Sequence, residues 1–202
     1  KDKKNSWNPE LTKRWLPVDM YIGGAEHSVL HLLYARFLAM VFKDLGLVNF
    51  EEPFAKFRAH GLLIKDGAKM SKSKGNVVIP DEHIKKYGAD ALRAFLMFLG
   101  PFEQGGDFRD TGMAGITRFL NRVWNFVGNF EEPPETDEKA ERIINKYVKE
   151  IGGDIEDLKF NTGISGLMKL LNELEDKWLT RKQYGAFLKL LAPFAPHLAE
   201  EL

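Results

Sequence analysis

A short stretch of the chain, Lys69–Ser73 with the sequence KMSKS, carries the residue types best suited to chemistry. With Lys74 it places three lysines and two serines within six residues, between Gly67 and Gly75. Ammonium, hydroxyl and backbone N–H donors at this density can converge on one polyanion, and a phosphate chain is the ligand that they fit. The sequence therefore predicts that this stretch, which we call the KMSKS segment, binds phosphate.

Other interpretations of the KMSKS segment have less support. A solvated basic turn is the usual meaning of a lysine-rich loop, but this loop directly follows the apolar run His60–Ile64, and the strands of an open α/β sheet present their carboxyl ends to ligands. Ser71 and Lys74 have the S-x-x-K spacing of serine acyl-transfer enzymes, yet neither S-D-N nor K-T-G occurs. Walker and dinucleotide-binding sites are excluded, because the sequence contains neither G-x-x-x-x-G-K-[ST] nor G-x-G.

A second candidate site surrounds Gly23, Gly24 and Glu26. Two glycines after a β-prone run allow the backbone to approach a ligand closely, and a carboxylate at the start of a helix can accept hydrogen bonds from a ribose diol. Taken alone, Glu26 is better explained as an acidic residue at a helix N-terminus that stabilises the helix macrodipole. His27 and His31 have the spacing of two metal ligands on one helical face. No third ligand is indicated, so the sequence predicts no protein-bound metal.

Apolar periodicity predicts an α/β region followed by an all-α region. Val18–Ile22 and Phe57–Ile64 are predicted strands, Glu26–Leu45 is a predicted helix, and a further helix begins near Pro80. This alternation of strands and helices indicates a parallel sheet. From residue 89 onward only helical periodicity is found. The predicted helices there are Ala89–Leu99, Thr111–Val127, Asp137–Ile151, Asn161–Glu175 and Trp178–Leu191.

Most apolar positions of these helices are expected to form the core rather than a site. Arg118 and Arg122, in contrast, share an i,i+4 face that could meet phosphate, although a solvated basic stripe explains the pair nearly as well. The expected core residues in question are Leu30, Leu33, Phe37, Met40, Val41, Phe119, Trp124 and Phe126.

Composition indicates a folded chain that does not cross a membrane. Of its 202 residues, 44% are hydrophobic and 29% are charged, and no apolar run approaches the roughly 20 residues that a membrane span needs. The absence of cysteine excludes disulfides and thiolate metal sites, and we expect a cytoplasmic protein. Residues 1–16 suggest a surface linker or a short helical turn, and the acidic, proline-containing run 131–135 is the predicted internal boundary.

Taken together, these residues resemble the class I aminoacyl-tRNA synthetases. The KMSKS segment is the complete signature pentapeptide of that class, and its continuation to Val78 is similar to the leucine, isoleucine and valine branch. The run Leu16–Phe37 resembles the leucine enzymes, because the isoleucine and valine enzymes usually have aspartate at the position of Glu26. Further similarity lies in Lys86–Arg93, Arg118–Trp124 and Leu191–Leu198.

The resemblance implies a leucine–tRNA ligase, which activates leucine with ATP to leucyl-adenylate and transfers it to tRNA(Leu), with Mg²⁺ as the counter-ion of ATP. Lys69 and Lys72 would stabilise the triphosphate as catalytic residues. His27 and His31 would line the leucine pocket, and Arg118 and Arg122 would contact tRNA. The ATP-binding residues implied in the same way are Gly23, Gly24, Glu26, His60, Leu62, Leu63, Met70, Ser71 and Ser73.

The implied architecture is half of a Rossmann-like nucleotide-binding fold followed by an α-helical bundle. Residues 1–100 would be the second half of the catalytic domain, 101–130 a connecting helical segment, and 131–202 the start of an anticodon-binding-type bundle. The family's His-x-Gly-His signature does not occur in the sequence. We therefore expect the chain to be inactive alone, as a truncated piece or as one subunit of a split enzyme that needs an amino-terminal half. The alternative is a non-catalytic tRNA-binding or scaffold module derived from such an enzyme.

Overall fold

The computed structural model describes residues 7–131 and 137–202. The chain divides into two units, Lys1–Leu62 and Leu63–Leu202, and a mixed α/β region precedes a helical region, which confirms the predicted fold class. Residues 1–6 of the predicted linker and residues 132–135 of the acidic run lie outside the described residues. The predicted domain limits near residues 100 and 130 stay predictions. No helix in the described ranges has the length and apolar character that crossing a membrane requires.

The first unit contains a parallel pair of strands. Helix α1 (Pro9–Trp15) opens it, with the side chain of Asn8 accepting hydrogen bonds from the first-turn N–H groups. Strand β1 (Tyr21–Gly24) pairs in parallel with β2 (Phe57–His60), and the register places Gly24 opposite His60. The predicted parallel arrangement is therefore present here, and Gly24 and His60 meet at the carboxyl ends of their strands.

The helix predicted over Glu26–Leu45 is two separate elements. A short 3-10 helix, Ala25–Ser28, comes first, and α2 (His31–Asp44) follows. The assignment of apolar residues on this stretch to the core is wrong: Leu33 is 56% exposed and Phe37 is 61% exposed, and Leu30 and Met40 are exposed as well. Only Leu32 and Ala39 of α2 are buried, because α2 is apolar around most of its circumference and can lay only one side against its own unit.

The strands of the second unit occur in the order β4-β3-β5. Strand β3 (Leu62–Lys65) and β4 (Ala68–Lys69) form an antiparallel hairpin, whose turn residues Asp66 and Gly67 both have positive φ, as two-residue hairpin turns require. The predicted strand Phe57–Ile64 is thus interrupted at Gly61, and the KMSKS segment follows a hairpin rather than the edge of a parallel sheet. Strand β5 (Gly105–Phe108) was not predicted, because its two glycines carry little β-propensity.

The remaining elements are helices that form most of the buried core. All the helices predicted from residue 89 onward are present, with their ends moved by a few residues. Trp124, expected in the core, is 48% exposed, whereas Phe119 is buried as predicted. The helices are α3 (Pro80–Tyr87), α4 (Ala89–Phe98), α5 (Asp110–Gly128), α6 (Glu138–Glu156), α7 (Phe160–Leu174), α8 (Arg181–Leu191) and the unpredicted short α9 (Pro196–Glu201).

Candidate active site

The KMSKS segment takes its backbone shape from the elements on both sides of it. Strand β4 ends at Lys69, and a single 3-10 turn, Lys72–Lys74, follows. That turn ends at Gly75, whose φ of +66° lies in the left-handed region that favours glycine. The segment is therefore a tight excursion between the β3–β4 hairpin and α3.

The side chain of Asn76 binds the backbone of the first half of the KMSKS segment. Its side-chain Oδ1 accepts a hydrogen bond from the backbone N–H of Ser71 at 2.8 Å, and its Nδ2 donates to the carbonyl oxygen of Lys69 at 3.2 Å. Met70 and Val78 pack against the hydrophobic core. These contacts hold the backbone of the segment against its own unit.

The lysines of this region remain exposed to solvent. Within residues 7–131 and 137–202, none of Lys69, Lys72 and Lys74 forms an ion pair with a carboxylate. Lys65, only four residues before the segment, is paired with Asp110 at 3.2 Å. No carboxylate in the described parts of the chain therefore competes for the ammonium groups of these three lysines, and the backbone that carries them is fixed by its own contacts. This arrangement suits an anionic ligand.

Asp107 fixes the turn of the hairpin that carries the KMSKS segment. Its Oδ1 accepts a hydrogen bond from the backbone N–H of Gly67 at 3.1 Å, and its Oδ2 accepts one from Arg109 Nε at 2.8 Å. The Gly67 hydrogen bond, followed by that from Arg109, holds the pKa of Asp107 below its usual value. The carboxylate therefore stays ionised at neutral pH and keeps its acceptor role.

The glycine pair of the first unit has a defined relation to Glu26. Gly24 is buried and has an ordinary φ of −66°, so its lack of a side chain matters for space rather than for backbone conformation. A Cβ added there would lie 2.3 Å from Glu26 Oε2. The Glu26 carboxylate therefore lies directly against Gly24, and the sequence-predicted Gly24, Glu26 and His60 occupy the same end of the β1–β2 pair.

The two histidines predicted for the leucine pocket belong to different elements. His27 lies in the 3-10 helix and His31 is the first residue of α2, so the expectation of one shared helical face is wrong. The Nδ1 atom of His27 is buried and has no hydrogen-bond partner within residues 7–131 and 137–202. The His31 ring stacks on Tyr21 at 5.4 Å between ring centroids. In the described residues no cluster of three or more His, Asp or Glu side chains could hold a metal ion.

The other predicted site residues have mixed surroundings. His60 is exposed, with Nδ1 2.9 Å from the carbonyl oxygen of Gly61, Leu62 is exposed, and Leu63 is half-buried. Ser71 and Ser73 are linked through their hydroxyl oxygens at 2.8 Å.

The predicted tRNA-contacting arginines differ in their partners. Arg122 on α5 contacts Glu175 twice, at 3.0 and 2.7 Å, and also donates to Asn172. The Glu175 hydrogen bond raises the pKa of Arg122. Arg118 is exposed. The guanidinium of Arg122 is therefore engaged in joining two helices, and its contact with tRNA stays a prediction.

Sequence reasoning missed Asn76, which binds the backbone of the KMSKS segment, and Asp107 and Asp110, which contact the elements that flank it. Asn76 was readable in principle, because an asparagine close to a turn often bonds to nearby backbone. Asp107 lies 40 residues from its partner Gly67, and no local pattern in the sequence connects them.

Comparison with known proteins assigns the family. Residues 4–107 match the family described as tRNA synthetases class I (I, L, M and V). The chain belongs to this family. Residues 137–202 match the family described as the anticodon-binding domain of tRNA ligase. The resemblance to class I synthetases found in the sequence is thereby confirmed.

Individual relatives point to the leucine branch. A leucine–tRNA ligase of Dehalococcoides mccartyi is 43% identical over 98% of this chain and 26% of its own length. One of Thermotoga maritima is 46% identical over 96% of this chain and 27% of its own length. The chain thus spans about a quarter of the length of these curated relatives.

Solved structures agree with the fold assignment. The ternary complex of an Agrobacterium radiobacter LeuRS with tRNA and LeuAMS superimposes with a TM-score of 0.89 at 32% identity, over 98% of this chain and 28% of that chain. A Mycobacterium tuberculosis methionyl-tRNA synthetase in complex with methionyl-adenylate gives a TM-score of 0.72 at 18% identity, over 98% of this chain and 46% of that chain. The second likeness supports the class I fold alone.

Proposed function

We propose that this chain supplies the KMSKS half of the adenylate-forming site of a leucine–tRNA ligase. The observation that carries the proposal is the set of exposed lysines, which form no ion pair with any described residue, on a KMSKS segment held by Asn76 and the core. In the reaction a leucine carboxylate oxygen attacks the α-phosphate of ATP, and the bond to pyrophosphate breaks. Lys69 and Lys72 would stabilise the negative charge that develops on the triphosphate, with Mg²⁺ as its counter-ion.

The remaining predicted residues would surround the other parts of the substrates. Gly23, Gly24 and Glu26 would border the ribose of ATP, and the backbone of His60, Leu62 and Leu63 would meet the adenine. Met70, Ser71 and Ser73 would shape the KMSKS segment, His27 and His31 would line the leucine pocket, and Arg118 and Arg122 would contact tRNA(Leu). These roles rest on the match of each residue to the family's pattern.

We also propose that this half acts together with another part of the enzyme that carries His-x-Gly-His. The motif does not occur in the 202 residues. A large apolar surface on α2 supports the idea, since contiguous exposed apolar residues mark interaction sites in soluble proteins. We call this surface the α2 apolar face; it consists of Leu33, Tyr34, Phe37, Leu38 and Met40.

Leucine-dependent ATP–pyrophosphate exchange tests the proposed function. We expect no exchange with the chain alone, and exchange when the amino-terminal half of a leucine–tRNA ligase is supplied with it. A module that only binds tRNA predicts a different result: salt-sensitive tRNA binding, and no exchange even when the amino-terminal half is added. Exchange that stays absent with the added half would contradict the proposal.

A substitution at Gly24 tests the proposed ribose site. In the completed enzyme, Gly24→Ala should raise the KM for ATP by about tenfold, because the new methyl group would occupy the place of the Glu26 carboxylate and so remove a charged hydrogen-bond acceptor. The backbone φ of Gly24 accepts alanine, so folding should be retained.

Gly115→Ala is the matched control for Gly24→Ala, because a Cβ at that helical glycine meets nothing within 4 Å. The KM for ATP should stay unchanged in the control. If the KM for ATP were unchanged in Gly24→Ala as well, Glu26 would not be part of the ATP site.

A further inference from the structure

We propose that Asp110 is a positioning residue for the KMSKS segment, because its two carboxylate oxygens join the strand before the segment to the helix after it. Asp110 is the first residue of α5, far from the segment in sequence, and the family pattern recognised in the sequence does not include it. The inference rests on the proposed function, since it assigns Asp110 a role in placing Lys69 and Lys72.

Each oxygen of Asp110 contacts a different end of the region. Oδ2 accepts a hydrogen bond from Lys65 Nζ on β3 at 3.2 Å, and Oδ1 lies 2.9 Å from His83 Nε2 on α3. The other ring nitrogen of His83, Nδ1, lies 3.3 Å from the carbonyl oxygen of Ile79, just before α3. One carboxylate thus joins β3, the first strand of the hairpin that leads into the KMSKS segment, to α3, the helix that follows the segment.

The residues just before Asp110 contact the same region. The ring of Phe108 is buried, with Lys65 Nζ 5.4 Å from its centroid and the His83 ring edge-on at 5.1 Å. Asp107 accepts the hydrogen bond from the hairpin turn at Gly67. The corner between β5 and α5 therefore contacts the region at three points: the hairpin turn, β3 and α3.

The charge of Asp110 is available for this role at neutral pH. The hydrogen bonds from His83 and then Lys65 hold the pKa of its carboxyl group below the usual value. The Asp110 side chain is 62% exposed, and ion pairs at such positions add little to stability. If the contacts of Asp110 with Lys65 and His83 act by fixing geometry, their removal should change catalysis and have little effect on folding stability.

The contact with Asp110 gives Lys65 a structural role that differs from the role of the lysines in the KMSKS segment. The Lys65 ammonium group pairs with Asp110 and lies near Phe108, whereas the lysines of the KMSKS segment have no carboxylate partner among the residues that the structure describes. Neutralising Asp110 would free one more cation close to the segment while removing the contacts of Asp110 with the elements before and after it. The expected loss of rate thus comes from lost placement and not from lost positive charge.

The test compares Asp110→Asn with Glu138→Gln in the completed enzyme. Glu138 is the first residue of α6 and pairs with Arg142, so the control removes the same charge from the same position of a helix. We expect Asp110→Asn to lower kcat of leucine-dependent ATP–pyrophosphate exchange by at least about tenfold, since small misplacements of catalytic groups have such effects. The KM for leucine should be unchanged, and Glu138→Gln should behave as wild type.

A double-mutant cycle with Lys72→Ala separates positioning from a general loss of structure. If Asp110 acts through the KMSKS segment, Asp110→Asn should lower the rate less in the Lys72→Ala background than in wild type, because only the part that acts through Lys69 remains. Independent effects would multiply. Multiplying effects, or a loss in Asp110→Asn no larger than in Glu138→Gln, would overturn the inference. The proposed function would survive that outcome as long as Lys72→Ala alone lowers the rate, and it would fail if Lys72→Ala had no effect.

A second pair of variants keeps the test decisive if Asp110→Asn folds poorly. His83→Gln retains a nitrogen donor that can reach the carboxylate, whereas His83→Leu removes it. We expect His83→Leu to reproduce the loss of kcat and His83→Gln to keep most of the rate. Equal rates in the two His83 variants would contradict the inference.

Discussion

Lys72→Ala should lower the rate of leucine-dependent ATP–pyrophosphate exchange by at least ~10²-fold in the completed enzyme, the size of the loss of one preorganised electrostatic donor. Lys72 begins the 3-10 turn of the KMSKS segment, is exposed and has no carboxylate partner in the described parts of the chain. Its positive charge would act mainly on the charge that develops as pyrophosphate leaves. The loss should therefore appear in kcat, with the KM for leucine little changed.

Lys74→Ala is the control for this prediction. Lys74 lies in the same 3-10 turn and is equally exposed, but it follows the signature pentapeptide. Lys74→Ala removes the same charge from the same loop. A rate within a few-fold of wild type would therefore show that the position of the lysine matters, and not the total positive charge of the loop. Equal losses in the two variants would point to a diffuse field instead, and an unchanged rate in Lys72→Ala would refute its catalytic role.

Phe187→Ala should lower the free energy of unfolding of the chain by about 3–5 kcal/mol, the usual cost of removing a buried aromatic ring. Phe187 on α8 is fully buried and packs edge-on against Phe126 of α5, with 5.8 Å between ring centroids. Its loss would leave a cavity between helices that surround the main core. Denaturant unfolding followed by circular dichroism measures the change.

Phe37→Ala provides the comparison for Phe187→Ala within the same chain. Phe37 is 61% exposed on the α2 apolar face, so the same substitution should change the free energy of unfolding by no more than about 0.5 kcal/mol. A similar loss in both variants would mean that the α2 apolar face is covered in solution. A negligible loss in Phe187→Ala would contradict the described core.

Local patterns in the sequence were sufficient for the fold class and for the KMSKS segment. The helices of the second unit follow from apolar spacing, because a helical period records which residues share a face. Gly67 and Gly75 flank the KMSKS segment in the sequence, and both have the positive φ that glycine adopts without strain. The phosphate-binding hypothesis needed only the density of lysine and serine donors between two glycines, which is a property of neighbouring residues.

Periodicity could not decide what covers a helical face. The residues Leu33 and Phe37 have the spacing of core positions, yet they form the exposed α2 apolar face, while Phe119 on α5 is buried by neighbouring helices. A period identifies a stripe along a helix but not the presence of a surface to pack against it. The same reason explains why Trp124 is exposed.

The sequence by itself determined the family, the helical second unit and the segment that we propose binds phosphate. Only the tertiary structure decided that Asp107 and Asp110 contact the elements on both sides of that segment, through partners up to 45 residues away. Such contacts arise when a strand and the first turn of a helix pack beside a hairpin that is distant in sequence. They depend on the path of the whole chain in space, and a local window of sequence carries no record of that path.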